Sequence, residues 1–504
     1  MDFTGYNPPG IYVEDLSGPI VTSAGALSTL ACIVGPAVGY QTNVETIVLS
    51  DVDEIPVPVQ LRQRGIFQTD QTGPPAISGL VVTDTAGGLL ALGVDYSIAT
   101  VTSVPDVNAN NFTTITRIDG GAISNNDAII AYYNFADLSY YSPQIFQDYT
   151  ALAAVYGQPF DLTTPSQPVV SSPLSVAASV AMNNGATQIM TIATNPSDGD
   201  FNSQLRAAYA KVDADYRVGI IVPLFVDGYQ TNSDISQTAT FAEFESVVAD
   251  IKNDVEAASA NGFGRIAVIG APTNFDDDTS GSNTIAIATT TSSKRIVEAY
   301  PNRLNLNVNN GYTIEVGGYY LASAYAALLT SGQVNRGLTK RQVSGFSSLP
   351  TTFTTMSVST KNTLSKNGVA VTEIDRLSRF TVRHGVTTKM SALNYREISL
   401  VRIADTLYQM VYTGLEAADL IGEPITLETT TDVKNILSGI LERAVNDLVI
   451  IDWQNLLVRQ ESVPGGDPTV IDCKFAYQPA VPLNYINVGF TIDLTSGTVT
   501  ETAA

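Results

Sequence analysis

Very few residues of this chain have the type and spacing that catalysis needs. His384 is the only histidine among 504 residues, so a Ser-His-Asp or Cys-His arrangement would have to use it. It lies in "FTVRHGV", away from any GxSxG nucleophile elbow. Cys32 and Cys473 are far apart in sequence and form no CxxC motif. The sequence around His384 favours a structural or surface histidine. The two cysteines predict neither a zinc site nor a disulfide framework.

Two further motifs resemble ligand-binding loops but lack a feature that binding requires. Gly262, Gly264 and Ala267 have the spacing of a dinucleotide fingerprint, yet they precede a strand where the fingerprint must follow one. The segment 276–281, "DDDTSG", matches the start of a calcium loop, but Ile287 occupies the position that needs a bidentate carboxylate. We therefore expect no cofactor, no metal and no enzymatic activity.

The composition restricts the partners that the chain can have. Lys and Arg number 26 against 49 Asp and Glu, which gives a formal net charge of −23 and argues against direct binding to nucleic acid or to an anionic membrane. Charged residues make up only 15% of the chain, where about 25% is usual. The surface is therefore rich in uncharged polar residues, or much of it is buried against other chains. The cysteine usage fits a reducing compartment, and the N-terminus lacks the pattern of a secretory signal.

The charges are segregated along the chain. Between Lys294 and Arg402 there are 14 Lys and Arg against 5 Asp and Glu, whereas the rest of the chain is strongly acidic. Folding could interleave these regions, in which case the segregation has no functional meaning. Alternatively, a basic face of one subunit meets an acidic face of a neighbour, as complementary interfaces do.

The elements that would position these residues predict an α/β protein with a largely parallel sheet. Residues 41–140 contain short β-rich runs divided by Gly, Asp, Asn and Pro, and they indicate an inserted β domain. From about 146, helices alternate with apolar strands. The clearest unit is a βαβ crossover between Arg217 and Gly270, in which "RVGIIVPLFV" and "RIAVIGAP" flank a helix.

After Gly368 the pattern indicates a smaller α+β domain. It contains the strand-like "VAVTEID" and "RFTVRHGV", helices at 395–414 and 432–448, and a strand near "VIDCKFA". The predicted organisation is an N-terminal arm and first part of the core (1–40), the insert, which we expect to face outward (41–140), the α/β core (141–367), the C-terminal domain (368–483) and a C-terminal strand arm (484–504).

Both ends of the chain have the alternation of β-strands, and proline-rich tethers accompany them. Each could be an edge strand of its own domain or could add to the sheet of a neighbouring subunit, where main-chain hydrogen bonds supply affinity. The residues predicted to form inter-subunit strand arms are Ile11, Tyr12, Val13, Ile486, Val488, Phe490, Ile492 and Leu494.

The order of several segments resembles the tail sheath proteins of contractile-tailed bacteriophages and related contractile injection systems. "PPGIYVEDLSGPI" and "ACIVGPAVG" resemble the opening of these proteins, and "SVAASVAMNNGATQIMTIA" and "SSKRIVEAYP" resemble their core segments. "NYREISLVRIADTL" and "PAVPLNYINVGFTIDL" are similar to their C-terminal helix and final strand. The resemblance covers about 5–40 and 145–494. The insert departs from the shortest members of the family.

The resemblance implies a non-enzymatic subunit with a core that is subtilisin-like but lacks an active site. Such a subunit would form stacked hexameric rings in a helical sheath around a tail tube, in contact with baseplate and tail terminator proteins. Arms exchanged with neighbours would link the lattice, and rigid-body repacking of folded subunits would drive contraction. Assembly in the host cytoplasm and location in the virion tail follow from the same resemblance.

The C-terminal domain of sheath proteins is the part nearest the tube, so the basic segment offers candidate contacts to the tube or to a neighbouring subunit. Two other functions stay open at this point: a cryptic subtilisin-like α/β hydrolase that uses His384, and another self-assembling shell protein. The candidate contact residues are Lys361, Lys366, Arg376, Arg379, Arg383, Lys389, Arg396 and Arg402.

Overall fold

The computed structural model describes residues 30–37, 41–52, 54–64, 80–99, 112–135, 141–161, 169–195, 198–225, 241–273, 275, 281–308, 312–349, 354, 356–460 and 469–484. Both predicted terminal arms lie outside the described residues. Within them, no helix is long and apolar enough to span a membrane.

The strands are β1 (Leu30–Gly35), β2 (Gln41–Leu49), β3 (Asp51–Val52), β4 (Ile55–Pro56), β5 (Val59–Arg64), β6 (Leu80–Asp84), β7 (Tyr96–Ala99), β8 (Phe112–Arg117), β9 (Asp127–Phe135), β10 (Gln144–Phe146), β11 (Phe160–Asp161), β12 (Val169–Val170), β13 (Ile189–Ala193), β14 (Val218–Pro223), β15 (Ile266–Gly270), β16 (Ile296–Tyr300), β17 (Arg303–Val308), β18 (Tyr312–Gly317), β19 (Phe346–Ser348), β20 (Val369–Ile374), β21 (Phe380–Val382), β22 (Ile450–Gln460) and β23 (Ile471–Pro479). The helices are α1 (Tyr149–Tyr156), α2 (Pro173–Asn183), α3 (Phe201–Ala210), α4 (Phe241–Ala260), α5 (Ser282–Thr291), α6 (Gly318–Thr330), α7 (Val358–Lys366), α8 (Leu393–Arg396), α9 (Ile398–Glu416) and α10 (Leu427–Asn446).

An eight-stranded sheet forms the centre, in the order β10-β13-β1-β14-β15-β16-β20-β21. All neighbours from β13 to β20 are parallel, and the two outer strands are antiparallel. The predicted βαβ unit corresponds to β14, α4 and β15. Strand β1 is buried throughout because the sheet is covered on both faces. Ala31 and Ile33 pack with the residues of α2 and α6, whereas Cys32 and Val34 pack on the opposite face with those of α3 and α4.

Helix α6 is buried along nearly its whole length and crosses close to the end of β15. A Cβ atom on Gly270 would lie 2.1 Å from the carbonyl oxygen of Gly318, so only glycine allows this approach. The Gly318 N–H donates to the carbonyl oxygen of Ala271 at 2.8 Å and fixes the start of the helix on the sheet.

Residues 41–135 form two three-stranded antiparallel sheets, β2-β9-β6 and β5-β8-β7, whose described strands pair with no strand of the central sheet. Their apolar core is separate and contains Leu49, Leu61 and Ile115. Arg117 Nε donates to Asp51 Oδ1 at 2.6 Å and links the first strands of this region to its last ones.

The C-terminal part combines the antiparallel helix pair α9 and α10 with the two-stranded sheet β22-β23. Thr426 caps α10 by accepting a hydrogen bond from the backbone N–H of Thr429 at 3.1 Å. Leu407 and Leu441 of the helices pack against Trp453 and Phe475 of the sheet, which closes a small core of its own.

The domain boundary predicted at 367/368 is wrong in one respect. Strand β20 pairs with β16, and β21 pairs with β20, so both extend the central sheet and do not join the C-terminal helices. The physical reason is burial: Val369 to Glu373 are all buried, as strands of a covered sheet must be. The C-terminal unit begins with α9, whose first residues Ile398 and Val401 still pack in the core of the central sheet.

A buried ion pair joins this C-terminal unit to the sheet. Arg295, just before β16, donates through Nη2 to Asp405 Oδ1 on α9 at 2.8 Å, and its Nη1 bonds the other carboxylate oxygen. Burial raises the pKa of Asp405, and the Arg295 charge and hydrogen bond oppose that rise. Nearby, Gln409 Nε2 donates to the carbonyl oxygen of Gly262 at 2.9 Å. These bonds fix α9 against the loops at one end of the sheet.

Removing one partner of this pair should be far more damaging than removing both. Arg295→Met leaves a buried carboxylate without its partner, and we expect a loss of about 3–5 kcal/mol in the free energy of unfolding. The double variant Arg295→Met/Asp405→Leu should recover much of that loss. Denaturant unfolding measures both values.

The matched control is Arg459→Met, which removes an exposed guanidinium that lies 3.6 Å from Asp472 and should change stability by less than about 1 kcal/mol. Equal losses in the free energy of unfolding for Arg295→Met and Arg459→Met would show that the Arg295–Asp405 pair does not behave as a buried pair.

Candidate subunit interface

His384, the one candidate for general-base chemistry, takes part in contacts that hold parts of the subunit together. Its Nε2 bonds the carboxylate of Glu397, and the same oxygen, Oε1, accepts a hydrogen bond from Asn484 Nδ2 at 2.8 Å. The ring is largely buried, and its carboxylate partner is held at the start of α9. The geometry thus places His384 in a contact between β21, α9 and the last described residue of the chain.

The other two motifs do not form ligand sites in the described residues. Gly262 and Gly264 lie between α4 and β15, in a turn that precedes its strand, as the sequence predicted. Ile287 is buried within α5, so it is a core residue. Residues 276–280 lie outside the described part of the chain. Across the residues that are described, no group of His, Cys, Asp and Glu could hold a metal ion.

Two of the candidate contact residues are engaged within the subunit. Arg379 donates through Nη2 to Asp375 Oδ2 at 2.8 Å, and Arg383 donates to Glu373 Oε2 at 2.7 Å. Lys340 Nζ bonds the other oxygen of Glu373 at 3.1 Å. Burial alone would raise the pKa of Glu373, but Lys340 and Arg383 together hold it below the usual range. Part of the basic segment therefore pairs with its own acidic residues.

Four other candidates form no ion pair with the described residues: Lys361, Lys366, Arg376 and Lys389. Lys366 ends α7, and Arg376 lies in the turn between β20 and β21, where both side chains are exposed. Lys361, Lys389 and Arg396 are half-buried. The exposed positive charge therefore lies around β21 and the end of α7, at one edge of the central sheet.

Arg402 is a correction to the candidate set. It lies on the buried face of α9 beside Asp405, and burial lowers its pKa to about 10. A side chain enclosed in this way packs inside the subunit and has no surface to offer the tube. The charge of Arg402 alone predicts a surface residue. In a helix, residues three positions apart share a face, so Arg402 lies on the same inward face as Asp405.

The β22-β23 sheet has the features of a strand acceptor. Within the described residues its two strands pair only with each other, so each has a free edge. One face packs on α9 and α10, whereas Ile451 and Leu457 are about half exposed. Such an edge carries unpaired N–H and C=O groups and pairs readily with another extended chain.

Sequence reasoning missed three features of this region. The long strand β22 escaped because a bulge near Asn455, whose φ is 61°, shifts the alternation: Trp453 faces inward, and so do Leu456 and Val458. The Arg295–Asp405 pair escaped because the partners are 110 residues apart. Glu397, the acidic partner of His384, escaped because a turn and α8 lie between the two residues, so no helical or strand spacing relates them.

The fold matches those of contractile injection system proteins. One chain of the cryo-EM structure of the anti-feeding prophage baseplate, 6-fold symmetrised, has a TM-score of 0.53 and 12% identity, with coverage of 97% of this chain and 100% of that chain. A chain of the anti-feeding prophage helical sheath in the contracted state gives 0.51 and 13% identity, over 70% of this chain and 88% of its own. At these identities the likeness shows a mixed α/β fold shared with these assemblies.

A sequence comparison finds a phage tail protein. The tail sheath protein of Mycobacterium phage Bxz1 is 25% identical over 599 aligned residues, which cover 100% of this chain and 98% of that protein. No protein-family model matches the chain. The predicted resemblance to tail sheath proteins is confirmed along the whole length, and this full-length match favours a structural sheath protein over an enzyme.

Proposed function

We propose that this protein is the structural subunit of a contractile tail sheath, which polymerises around a tail tube and contracts to drive the tube through the host envelope. The observation that carries the proposal is the full-length likeness to a phage tail sheath protein. The structure supports it with a folded subunit whose two-stranded sheet β22-β23 pairs with no other strand of the described residues. Stacked hexameric rings, contacts with a tube, a baseplate and a terminator, and assembly in the host cytoplasm are parts of the same proposal.

The arms at the two chain ends are proposed to join subunits by adding strands to the β22-β23 sheet of a neighbour. The described chain ends at Asn484, soon after β23, and Pro479 and Pro482 favour an extended exit. Ile486 and Val488 begin the alternating apolar pattern of the arm. Main-chain hydrogen bonds to a free edge would then hold neighbours together while the subunits themselves move as rigid bodies.

Removal of residues 485–504 tests the arm and the assembly together. We expect the truncated protein to unfold cooperatively at the same temperature as the full chain, because the described core makes its contacts without the arm. The full chain should form tubes or rings under the electron microscope, and the truncated chain should form neither. Normal tubes from the truncated chain would refute arm exchange.

The core is proposed to be a subtilisin-like α/β fold without the active residues. The support is a mostly parallel central sheet with helices on both faces, and a histidine that bonds a buried glutamate at the start of a helix. No cofactor or nucleotide enters the proposed mechanism.

The insert at 41–140 is proposed to be a separate domain on the outside of the sheath. Its sheets and apolar core are formed from its own residues. Strand β1 ends at Gly35 and β10 begins at Gln144. Both points lie at the end of the central sheet where β13 finishes, and only β13 lies between the two strands. Two strand spacings amount to roughly 10 Å, so both connections leave from neighbouring points.

Deletion of residues 41–140 with a short Gly/Ser bridge should therefore leave a folded subunit that still assembles. Residues 36–40 and 141–143 remain in this variant, so with a few bridging residues the chain is long enough to join Gly35 to Gln144. Circular dichroism and thermal unfolding report the fold, and electron microscopy reports the lattice. An unfolded product would show that the insert is part of the core.

The exposed basic residues are proposed to contact the tube or an adjacent acidic subunit. Lys366 and Arg376 are the clearest members, since they are exposed and unpaired among the described residues. Contacts of this type are worth about 0.2–1 kcal/mol each and weaken with salt. They suit an interface that must rearrange during contraction.

The double variant Lys366→Glu/Arg376→Glu should impair assembly around the tube most strongly at low ionic strength and leave the melting temperature nearly unchanged. The control is Arg206→Glu/Arg217→Glu, which makes the same change in net charge at exposed positions outside the basic segment. Co-sedimentation of subunit with tube measures assembly. Equal behaviour of the two variants would exclude a specific role for the basic segment.

A further inference from the structure

Glu397 is a buried carboxylate that bonds Asn484, the last described residue of the chain. It is 6% exposed and immediately precedes α9. Its backbone pairs with that of Val386, and on either side Thr387 N–H donates to Arg396 O at 2.8 Å and Ile398 N–H donates to Gly385 O at 3.2 Å. The backbone on both sides of this residue is therefore held by β-type hydrogen bonds.

The side chain of Glu397 does not cap its own helix, although it occupies the N-cap position. An acidic side chain at this position would ordinarily bond the free N–H groups of the first turn. Here Oε1 instead accepts from Asn484 Nδ2 at 2.8 Å and bonds the His384 ring. A charged acceptor makes the stronger class of hydrogen bond, so the carboxylate is well suited to hold a chain segment from elsewhere.

The segment that Glu397 holds has few other attachments. Ala480 N–H donates to the carbonyl oxygen of Val449 at 3.5 Å, a long bond, and Val481 and Leu483 are 57% and 77% exposed. Asn484 makes the next hydrogen bond to the rest of the subunit. The contact joins residues 87 positions apart, so it fixes the chain end to α9 and through α9 to the central sheet.

We propose that the Asn484–Glu397 hydrogen bond is a latch that fixes the position and direction from which the C-terminal arm leaves the subunit. The proposal rests on the proposed function, in which residues 485–504 pair with a neighbour. An arm that leaves from one fixed point loses less conformational freedom on pairing, and its effective concentration at the acceptor is higher. In this proposal Glu397 and Asn484 are positioning residues, which act through the direction that they give to the arm.

The latch is tested directly in the unassembled, full-length subunit. Spin labels at Leu483→Cys and Lys434→Cys, both exposed positions, report the distance from the arm root to α10 in a Cys473→Ser background. We expect a narrow distance distribution in the parent. Asn484→Asp should broaden it, because two carboxylates then face each other.

A rescue variant separates the latch from a general loss of packing. In Asn484→Asp/Glu397→Gln, the new amide can donate to the new carboxylate, and the narrow distribution should return. Gln478→Ala, which removes an exposed carboxamide from β23, is the matched control and should change nothing. An unchanged distribution in Asn484→Asp, or no rescue in the double variant, would overturn the proposal.

Assembly provides the second measurement. The protein concentration needed for tube formation should rise about tenfold in Asn484→Asp and return in the rescue variant, with the melting temperature unchanged. A broadened distribution with unchanged assembly would show that the latch does not serve the arm. If the parent itself forms no tubes or rings, the proposed function fails, and the distance measurement still decides whether the latch exists.

Discussion

The buried pair between Arg295 and Asp405 is the constraint on which the arrangement of this subunit depends. It joins the start of β16 in the central sheet to α9, and α9 carries most of what lies further along the chain. Two buried charges are costly to desolvate, so the pair is a weak source of net stability. We infer that the pair instead selects one position of α9, since a helix placed elsewhere would separate the buried charges of Arg295 and Asp405.

This constraint links the features proposed for assembly. Helix α9 packs on α10 and on the β22-β23 sheet, whose edges pair with no other described strand and are the proposed strand acceptors. Glu397, at the start of the same helix, bonds Asn484 at the root of the C-terminal arm. The β22-β23 sheet and Asn484 therefore have fixed positions relative to the central sheet. A lattice whose subunits are joined in this way can change its spacing without a change inside each subunit.

The sequence predicted the central architecture well, because apolar runs such as "RVGIIVPLFV" read directly as strands covered on both faces. It predicted less where the pattern was interrupted or the partners were distant. The bulge near Asn455 hid β22, and Gly368 suggested a boundary although β20 completes the central sheet. At the candidate interface, exposure of Lys366 and Arg376 followed from their charge. The burial of Arg402 comes from the packing of α9 against the rest of the subunit, which the charge of a side chain does not reveal.

Cryo-EM reconstruction of the assembled sheath before and after contraction tests the central claim most directly. If folded subunits repack as rigid bodies, the described residues of 30–37, 141–460 and 469–484 should superpose between the two states, with the Arg295–Asp405 hydrogen bonds intact in both. The neighbouring subunits alone should change their relative positions. A contracted state in which α9 has moved relative to the central sheet, with Arg295 and Asp405 separated, would contradict the account.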